Sequence, residues 1–505
     1  MIKNDLRSRT LTGLGWTGIS QTMNQAFTWA ISIVLARILG PKVYGLVGMI
    51  TVFTGFAAIF GDLGLGAAIV QRKELEPRHL NAGFWTNVAM GSALSVLMVS
   101  LAPLVAAFYK EPVLLPLTAV ISLKYVIDSL YVMQMALLHR EMRFRTLAGI
   151  QIGSNVISGV VGLSLALYGM GPWSLVAQTL GTSVVSLTLS WRLGGWRPGF
   201  STEMKACREL FAFSAYVFGF DVVNYWSRNL DQLLIGRFIG PAGLGIYSRA
   251  YTLMLMPLSQ VSRVVGRVMF PALSSIQDDK PRVRRAYLKS ISVIGLITFP
   301  MMTGLLVVSD HFVLALLGPK WIEAIPLLKL FCWVGLLQSI WTTVGWIYFS
   351  QGRTGLYFTM GLINSAACML SFAIGIHWGI IGVAWSYLIY NSILLYPGLT
   401  VPARLIGVTF SEIARTLSPP LFSALGMSGA VWAVGQILPV GMAHWHFLVL
   451  EVLSGVVIYF ALVVNLRLEA WRESRQAFLD LAGDRLRSVI MLFGRGRLLR
   501  GTTRP

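Results

Sequence analysis

The chain has 505 residues, of which 55% are apolar and only 12% are charged. Soluble globular proteins carry about 25% charged residues, so this composition excludes a soluble enzyme and a disordered chain. The 41 Lys and Arg exceed the 21 Asp and Glu and give a net charge of +20. In so apolar a chain, cytoplasmic loops of a membrane protein explain that excess better than nucleic-acid binding.

Apolar stretches of about 20 residues recur along the chain, and a helix of that length spans a hydrocarbon layer of ~30 Å. Strands of a transmembrane β-barrel would instead alternate polar and apolar residues over about 10 positions. The pattern therefore predicts an all-α polytopic membrane protein with 14 transmembrane helices. In chain order the predicted spans are residues 12–36, 43–68, 82–108, 112–138, 147–168, 171–191, 209–236, 243–270, 287–310, 324–350, 356–376, 380–402, 414–438 and 446–466.

The basic residues predict the orientation of these spans. With the N-terminus placed in the cytoplasm and each span boundary taken to within about three residues, 30 of the 41 basic residues fall in cytoplasmic segments, 3 in outside loops and 8 within spans. Because cytoplasmic loops are enriched in Lys and Arg, this division predicts that both termini are cytoplasmic. Residues 467–505, basic with interleaved apolar side chains, are predicted to form an amphipathic helix on the inner leaflet.

An internal repeat relates the first span to the seventh. A shift of 200 residues aligns Asn24, Arg37, Gly40, Pro41 and Gly45 with Asn224, Arg237, Gly240, Pro241 and Gly245. A repeat of six spans preserves orientation, so the halves are predicted to be parallel and related by a pseudo-two-fold axis along the membrane normal. The predicted regions are two six-helix lobes at 1–200 and 201–405, an added helix pair at 406–466 and the tail at 467–505.

Polar residues form a stripe on spans 1 and 7, the two repeat-equivalent helices. Polar stripes on membrane helices face either a water-filled cavity or another helix. We favour a substrate cavity, and interhelical hydrogen bonding is the alternative, with Asp221, Arg228 and Asp231 neutralising one another. The stripe residues predicted to bind substrate are Asn24, Asn224, Tyr225 and Arg228.

Span 8 carries a second set of polar residues on one helical face. Guanidinium groups match phosphate oxygens in a bidentate geometry, so this face suits an anionic head group. Snorkelling of the arginines to lipid head groups is the alternative. The residues of this face predicted to bind substrate are Arg249, Gln260, Arg263 and Arg267.

Four aspartates are candidates for ion coupling, because acidic residues are costly at membrane depth and are rarely kept there without a function. Lys124 lies four residues before Asp128 and could simply neutralise it. Asp62 could instead cap a helix break within Gly61-Asp-Leu-Gly-Leu-Gly66. The candidates are Asp62, Asp128, Asp221 and Asp231, and the sequence does not select one of them.

The sequence predicts no enzyme chemistry and no cofactor. No Gly is followed by Lys, so the chain lacks a P-loop for ATP. His444 and His446 flank Trp445 in a predicted outside loop, but two histidines alone do not complete the coordination sphere of a metal. The three cysteines show neither paired nor metal-type spacing.

Several motifs carry a family resemblance that covers about residues 10–400. The stretch Arg228-Asn-Leu-Asp-Gln-Leu-Leu-Ile-Gly-Arg-Phe-Ile-Gly-Pro-Ala-Gly-Leu-Gly-Ile-Tyr-Ser-Arg249 resembles the hallmark segment of Wzx-type bacterial polysaccharide exporters. The colanic-acid-exporter branch is the nearest in pattern. The segments that agree with it are Leu35-Ala-Arg-Ile-Leu-Gly-Pro41, Asp62-Leu-Gly-Leu-Gly66, Leu138-His-Arg-Glu-Met-Arg-Phe144 and Met269-Phe-Pro-Ala-Leu-Ser274.

The resemblance implies the fold of the multidrug/oligosaccharidyl-lipid/polysaccharide superfamily, in which two six-helix bundles form a V around a central cavity. It implies a substrate in which a glycan is linked to a polyprenyl pyrophosphate and is flipped across the bacterial inner membrane. The product would serve exopolysaccharide, capsule or O-antigen biosynthesis. The expected partners are membrane lipids, a polysaccharide polymerase and glycosyltransferases, with no nucleic acid, and the expected state is a monomer.

Three alternatives remain open from the sequence. A cation-coupled multidrug exporter would share the fold, but the cationic face of span 8 does not suit cationic drugs. A lipid II flippase would share both fold and chemistry. A non-transporting scaffold of a polymer-assembly complex would have little use for charged residues at membrane depth.

Overall fold

A computed structural model describes the backbone over most of the chain, and helices dominate it. No strand occurs in the described ranges. For residues 2–20, 61, 215–221, 264 and 267 the structure describes the backbone only. The described backbone comprises residues 2–61, 76–199, 215–439, 442–466, 468 and 471–472.

The described residues before position 200 contain eight helices. Pro follows the left-handed Gly40 at the start of the second, and it also begins the third and the eighth, as expected at a first helical position. The helices are α1 (Ile2–Leu39), α2 (Pro41–Gly61), α3 (Pro77–Tyr109), α4 (Leu114–Ile121), α5 (Leu123–Ser129), α6 (Val132–Arg140), α7 (Phe144–Leu167) and α8 (Pro172–Leu193).

Nine further helices lie between residues 215 and 465, and two short 3-10 helices, Pro319–Trp321 and Ile376–Trp378, connect some of them. The helices are α9 (Ala215–Phe238), α10 (Pro241–Ser275), α11 (Lys280–Leu316), α12 (Ala324–Trp341), α13 (Val344–Ser350), α14 (Thr354–Gly375), α15 (Gly379–Leu405), α16 (Phe410–Ile437) and α17 (His444–Asn465).

The helices confirm the all-α, multi-pass character of the chain. Among the described residues, nine helical stretches are long and apolar enough to cross a membrane, and one of them, Thr354–Leu405, contains both α14 and α15. The helices α1, α8, α9 and α10 are not among the nine. Of these, α1, α9 and α10 carry the polar residues predicted to bind substrate. The number of 14 crossings therefore stays a prediction.

Two predicted spans are interrupted rather than continuous. The span at 112–138 consists of α4, α5 and α6, and the span at 324–350 consists of α12 and α13. Hydroxyl side chains bond to carbonyls of the preceding turn at the breaks, with Ser122 Oγ donating to Ala119 O at 2.7 Å and Thr343 Oγ1 donating to Ile340 O at 2.7 Å. Such local bonds compete with the helical backbone ladder, but the same bond also occurs inside continuous helices, as at Ser309 of α11, so it does not by itself cause a break.

The chain divides into two compact units. The first comprises Met1–Ala250, Leu316–Leu327 and Leu362–Tyr387, and the second comprises Tyr251–Ala315, Leu328–Gly361 and Leu388–Pro505. The first unit therefore includes a short segment, Leu316–Leu327, that is remote in sequence from the helices on which it packs.

In the first unit, hydroxyl groups join α7 and α8. Ser186 Oγ donates to Ser154 Oγ at 2.9 Å, and Thr182 Oγ1 donates to Ser158 Oγ at 2.7 Å. Small and hydroxylic residues let membrane helices approach closely and bond across their interface. The hydroxyl ladder therefore makes α7 and α8 a closely packed pair.

In the second unit, α16 and α17 pack against α11. Arg284 and Glu412 form an ion pair between the starts of α11 and α16. Tyr459 Oη of α17 donates to Leu296 O of α11 at 2.7 Å, and Thr303 Oγ1 donates to Ala424 O of α16 at 3.2 Å. The helix pair after residue 405 is thus fixed to α11 by polar contacts as well as by apolar packing.

Candidate functional site

The first candidate site is a close contact between the starts of α2 and α10. Gly40 and Gly240 precede these helices with φ values of +76° and +100°, a conformation that favours glycine. A Cβ atom built on Gly45 would overlap the carbonyl oxygen of Pro241, and one built on Gly245 would overlap that of Pro41. We call this reciprocal contact of residues 41–45 with residues 241–245 the crossing.

A short segment before α12 lies against the end of α1 beside the crossing. Gly318 has φ of +88°, and the 3-10 helix Pro319–Trp321 follows it. Lys320 Nζ donates to Ile38 O at 2.8 Å, and Trp321 Nε1 donates to Ala36 O at 2.9 Å. We call residues 318–321 the strap. The last carbonyls of a helix lack helical partners, so Lys320 supplies a donor to Ile38. The Ala36 carbonyl also accepts from the Gly40 N–H at 3.1 Å, and Trp321 is its second donor.

Arg249 lies between the crossing and the strap. Its guanidinium carbon is 4.2 Å from the ring centre of Tyr44 and 5.9 Å from that of Trp321. Nη1 donates to Ser32 Oγ at 3.0 Å, whereas Nη2 is buried and has no hydrogen-bond partner. The cation–π contacts of Arg249 join α2 to the strap. The sequence predicts instead that Arg249 contacts the substrate.

Replacing Trp321 by alanine should destabilise the purified protein. Trp321 is 0% exposed, whereas Trp378, in an equivalent position of the other short 3-10 helix, is 71% exposed. Deletion of a buried Trp side chain costs about 3–5 kcal/mol, so Trp321→Ala should lower the thermal midpoint in detergent by several degrees. Trp378→Ala is the matched control and should leave the midpoint within about a degree. Equal midpoints for the two variants would contradict the anchoring role of Trp321.

The described stripe residues make contacts between helices of the first unit. Asn24 Oδ1 accepts from Asn155 Nδ2 at 2.7 Å, which joins α1 to α7. Tyr225 Oη donates to Val52 O of α2 at 2.6 Å, and Asn224 beside it is half-buried. Asn24 and Tyr225 therefore form interhelical hydrogen bonds, the alternative to a substrate cavity that the sequence leaves open.

The remaining residues predicted to bind substrate lie on α9 and α10. Arg228 of α9 is exposed. On α10, which continues through Pro257 and Pro271, Arg263 is exposed and Gln260 is half-buried. Neighbouring Ser262 shares a hydrogen bond of 3.0 Å with Thr342 at the break between α12 and α13.

Two of the four aspartate candidates are described, and each has a partner. Asp128 pairs with Lys124, which the sequence leaves open as the alternative to ion coupling, and also accepts from Tyr131 Oη at 3.1 Å. Asp231 is 5% exposed and accepts from Tyr247 Oη at 2.9 Å and from the backbone N–H of Gln232 at 2.7 Å. The oxygens of Asp231 thus bond to α10 and to its own backbone. Asp62, the side chains of Asp221 and Arg267, and the tail after residue 472 lie outside the described residues.

Sequence reasoning missed a polar group in the second unit. Glu451 of α17 is 4% exposed, and His311 of α11 and His444 lie beside it. In the described ranges, no group of three or more His, Cys, Asp and Glu side chains is arranged to hold a metal. A single acid in the apolar segment 444–465 was the available signal.

The all-helical fold has a counterpart among solved membrane-protein structures. The solved structure of the lipid II flippase MurJ in an inward closed conformation is similar with a TM-score of 0.71 at 14% identity, over 89% of this chain and 98% of that one. At that identity the likeness establishes the fold, and it agrees with the superfamily fold that the sequence resemblance implies.

Sequence comparison then gives the family. The model named "Polysaccharide biosynthesis protein" matches residues 34–326, more than half of the chain, and the chain belongs to this family. The teichuronic acid biosynthesis protein TuaB of Bacillus subtilis is 29% identical over 82% of this chain and 86% of its own length. The lipopolysaccharide biosynthesis protein WzxC of Escherichia coli is 29% identical over 86% of this chain and 89% of its own length. The resemblance to Wzx-type polysaccharide exporters is thereby confirmed.

Proposed function

We propose that this protein flips glycans linked to polyprenyl pyrophosphate across the bacterial inner membrane by alternating access. The family, the two relatives that act in polysaccharide biosynthesis and the flippase fold support this function. The observation that carries the mechanism is the crossing, a helix contact without room for a Cβ atom, which is suited to close one side of a transport path completely. The chain acts as a transporter and not as an enzyme.

The proposed architecture has 14 spans in two parallel six-helix lobes with a pseudo-two-fold axis. The crossing supports the axis, because Gly45 meets Pro241 as Gly245 meets Pro41, and these residues are the repeat pairs. The interrupted helices support it too, since residues 112–138 and 324–350 are the fourth spans of the two lobes. Both features follow from one ancestral six-helix pattern used twice.

The crossing and the strap form the proposed periplasmic gate. In the described state Tyr44, Arg249 and Trp321 pack together beside the crossing, so this side is closed. Opening requires the glycines to separate from the proline carbonyls, and it releases the guanidinium of Arg249 from Tyr44. Arg249 would then be able to receive a phosphate, so a role in substrate binding is proposed for the open state alone.

The arginines of α10 form the proposed cytoplasmic entrance. Arg263 and Arg267 are one helical turn apart, which puts them on the same face of the helix. A diphosphate that leaves water needs replacement donors, because an unpaired buried charge is very costly. Exposed Arg263 and Arg228 have the chemistry to supply them, and Gln260, Asn224 and Tyr225 are proposed to contact the glycan.

Reconstituted vesicles test the proposed function. A polyprenyl-diphosphate oligosaccharide with a nitrobenzoxadiazole label on the sugar is incorporated together with the purified full-length chain, and external dithionite destroys the label in the outer leaflet. We expect nearly complete loss of fluorescence with protein and loss of only the outer-leaflet fraction without it. A labelled phospholipid should lose only its outer-leaflet fluorescence, because its inner-leaflet fraction stays protected from dithionite. Protection of the inner-leaflet glycan lipid together with transport of a cationic dye would instead identify a drug exporter. Protection without dye transport would identify a scaffold.

The proposed orientation predicts the sides at which two positions react. Single cysteines replace Lys280, at the start of α11, and Ile322, which follows the strap and is 56% exposed. The background lacks native cysteines, of which Cys332 and Cys368 are buried. In intact cells a membrane-impermeant thiol reagent should label position 322 and not position 280, and lysis should make both reactive. Labelling of both in intact cells would contradict the topology.

A further inference from the structure

Among the described acidic residues of the second unit, the buried Glu451 of α17 has a carboxylate oxygen without a hydrogen-bond partner. The side chain of Glu451 is 5% exposed, and its Oε2 is buried without a hydrogen-bond partner. A Cβ atom on Gly435 of α16 would lie 3.0 Å from Oε1, so the carboxyl group is enclosed between α16 and α17. Ionisable residues inside membrane segments are expensive and are generally kept for a function.

Two histidines connect this carboxyl group with the surface. His311 Nε2 of α11 lies 3.9 Å from Glu451 Oε1, and His311 Nδ1 lies 3.2 Å from His444 Nδ1. The ring of His311 stacks on that of Phe447, with ring centres 4.6 Å apart and planes at 6°. Exposure falls along the series, because His444 is exposed, the side chain of His311 is 27% exposed and that of Glu451 is 5% exposed.

The helices α11, α16 and α17 around Glu451 carry other charged groups. On α11, Asp310 is paired with Lys329 of α12 at 2.7 Å. On α17, His446 is exposed, and its ring is tilted by 41° against that of Trp445, with ring centres 5.5 Å apart. The titratable residues of α16, Glu412 and Arg415, precede Gly435 by about 20 residues, roughly 30 Å along the helix. In the described part of this region, no Lys or Arg reaches Glu451 with an ion pair.

An ionised carboxylate in this position would lack the donors that buried anions need, whereas a protonated carboxyl group is neutral and brings its own donor. We infer that Glu451, His311 and His444 form a proton-binding site, distinct from the crossing and from the α10 arginines. One proton from a hydronium ion, which is left as water, passes through His444 and His311 to a Glu451 oxygen. Each imidazole ends neutral, and no electron moves. Because 3.9 Å is too long for a hydrogen bond, His311 and Glu451 must approach by about 1 Å for the transfer.

The site would couple proton binding to the packing of α16 and α17 on α11. Ionisation of Glu451 would favour hydration of the space beside Gly435 and loosen the helix pair. In the proposed orientation α11 ends and α17 begins at the periplasmic side, so the proton would be exchanged with the periplasm. This coupling to transport rests on the proposed function, whereas the site itself does not.

Chemical labelling tests the site without any transport measurement. A hydrophobic carbodiimide reacts with protonated carboxyl groups buried in membrane proteins. The full-length protein in liposomes is treated between about pH 6 and pH 9, and mass spectrometry follows the peptide that contains Glu451. We expect modification about tenfold lower at the upper end of this range. Glu451→Gln should abolish it, and His311→Gln should change its pH profile.

Asp310→Asn is the matched control, because it neutralises a nearby carboxylate whose side chain is 50% exposed and should leave the profile of Glu451 unchanged. Modification that is absent or constant over the pH range would overturn the inference. A profile that shifts after treatment with EDTA would also overturn it, because the ligand would then be a metal ion.

Transport measurements separate this inference from the proposed function. In the vesicle assay, we expect the rate to depend on the pH at the side of α17 where His444 lies, and Glu451→Gln to flatten that dependence. Asp310→Asn should keep it. An unchanged pH profile in Glu451→Gln would overturn the coupling while leaving flipping intact. If the wild-type protein does not flip the glycan lipid, the proposed function fails and the labelling experiment still decides the site.

Discussion

Replacing Gly45 by alanine is expected to slow glycan-lipid flipping by more than tenfold. The added methyl group would overlap the carbonyl oxygen of Pro241, and neither backbone can yield without separating α2 from α10. Overpacking of this kind costs about 1–3 kcal/mol, and about 2 kcal/mol shifts the balance between closed and open states roughly thirtyfold toward open. Because alternating access requires the closed state in each cycle, the rate should fall with its population.

Two measurements distinguish this effect from unfolding. A cysteine at Ser32, protected in the closed state beside Arg249, should react faster with an impermeant thiol reagent in Gly45→Ala. Gly149→Ala is the control, because its Cβ would meet nothing within 4 Å while the helix-propensity change is the same. Wild-type flipping in Gly45→Ala would refute the crossing as a gate.

Reversing the charge of Arg263 and Arg267 together is expected to abolish flipping. Glutamate at both positions would repel the diphosphate at the proposed entrance. Each lost charge-assisted contact is worth about 1.5–3 kcal/mol, which corresponds to roughly ten- to a hundredfold in binding. Lysine at both positions should retain part of the activity, because the charge survives while the bidentate fork is lost. Flipping is measured in vesicles, and accumulation of lipid-linked repeat units is measured in cells.

The control for this prediction is Arg282→Glu/Arg285→Glu, which reverses two exposed charges at the start of α11 on the same proposed side. It changes the cytoplasmic charge by the same amount, so it reports any effect on membrane topology. Normal polymer export by a stably expressed Arg263→Glu/Arg267→Glu variant would remove these arginines from the mechanism. A drug exporter predicts spared transport of cations in the same variant.

Local features of the fold were predictable where one segment determines them. Gly40 and Gly240 adopt the left-handed conformation that the Gly-Pro turns require, and Lys124 pairs with Asp128 at the spacing of one helical turn. The breaks within residues 112–138 and 324–350 were not predicted. Hydropathy averages over a window, and a single Ser or Thr that bonds to a carbonyl does not change that average.

Contacts between segments that are remote in the chain could not be predicted from the sequence. The sequence predicts only that Trp321 lies in a loop outside the membrane. Nothing in residues 318–321 indicates that their donors bond to the carbonyls of Ala36 and Ile38. Asp231 shares a helical arc with Arg228, yet its carboxylate bonds to Tyr247. A helical arc identifies the residues on one face and not the helix opposite, and for the same reason the neighbours of Glu451 could not be predicted.

The crossing has the form of an isologous contact, in which residue i of one half meets residue j of the other and j meets i. In a symmetric homodimer of a six-helix ancestor, a single glycine codon would have built both contacts, and any mutation there would have broken both at once. Fusion of two such copies would leave Gly45 and Gly245 encoded separately. Each side of the contact can then change alone, so duplication would have allowed the two lobes to evolve unequal roles around a joint that began as one symmetric surface.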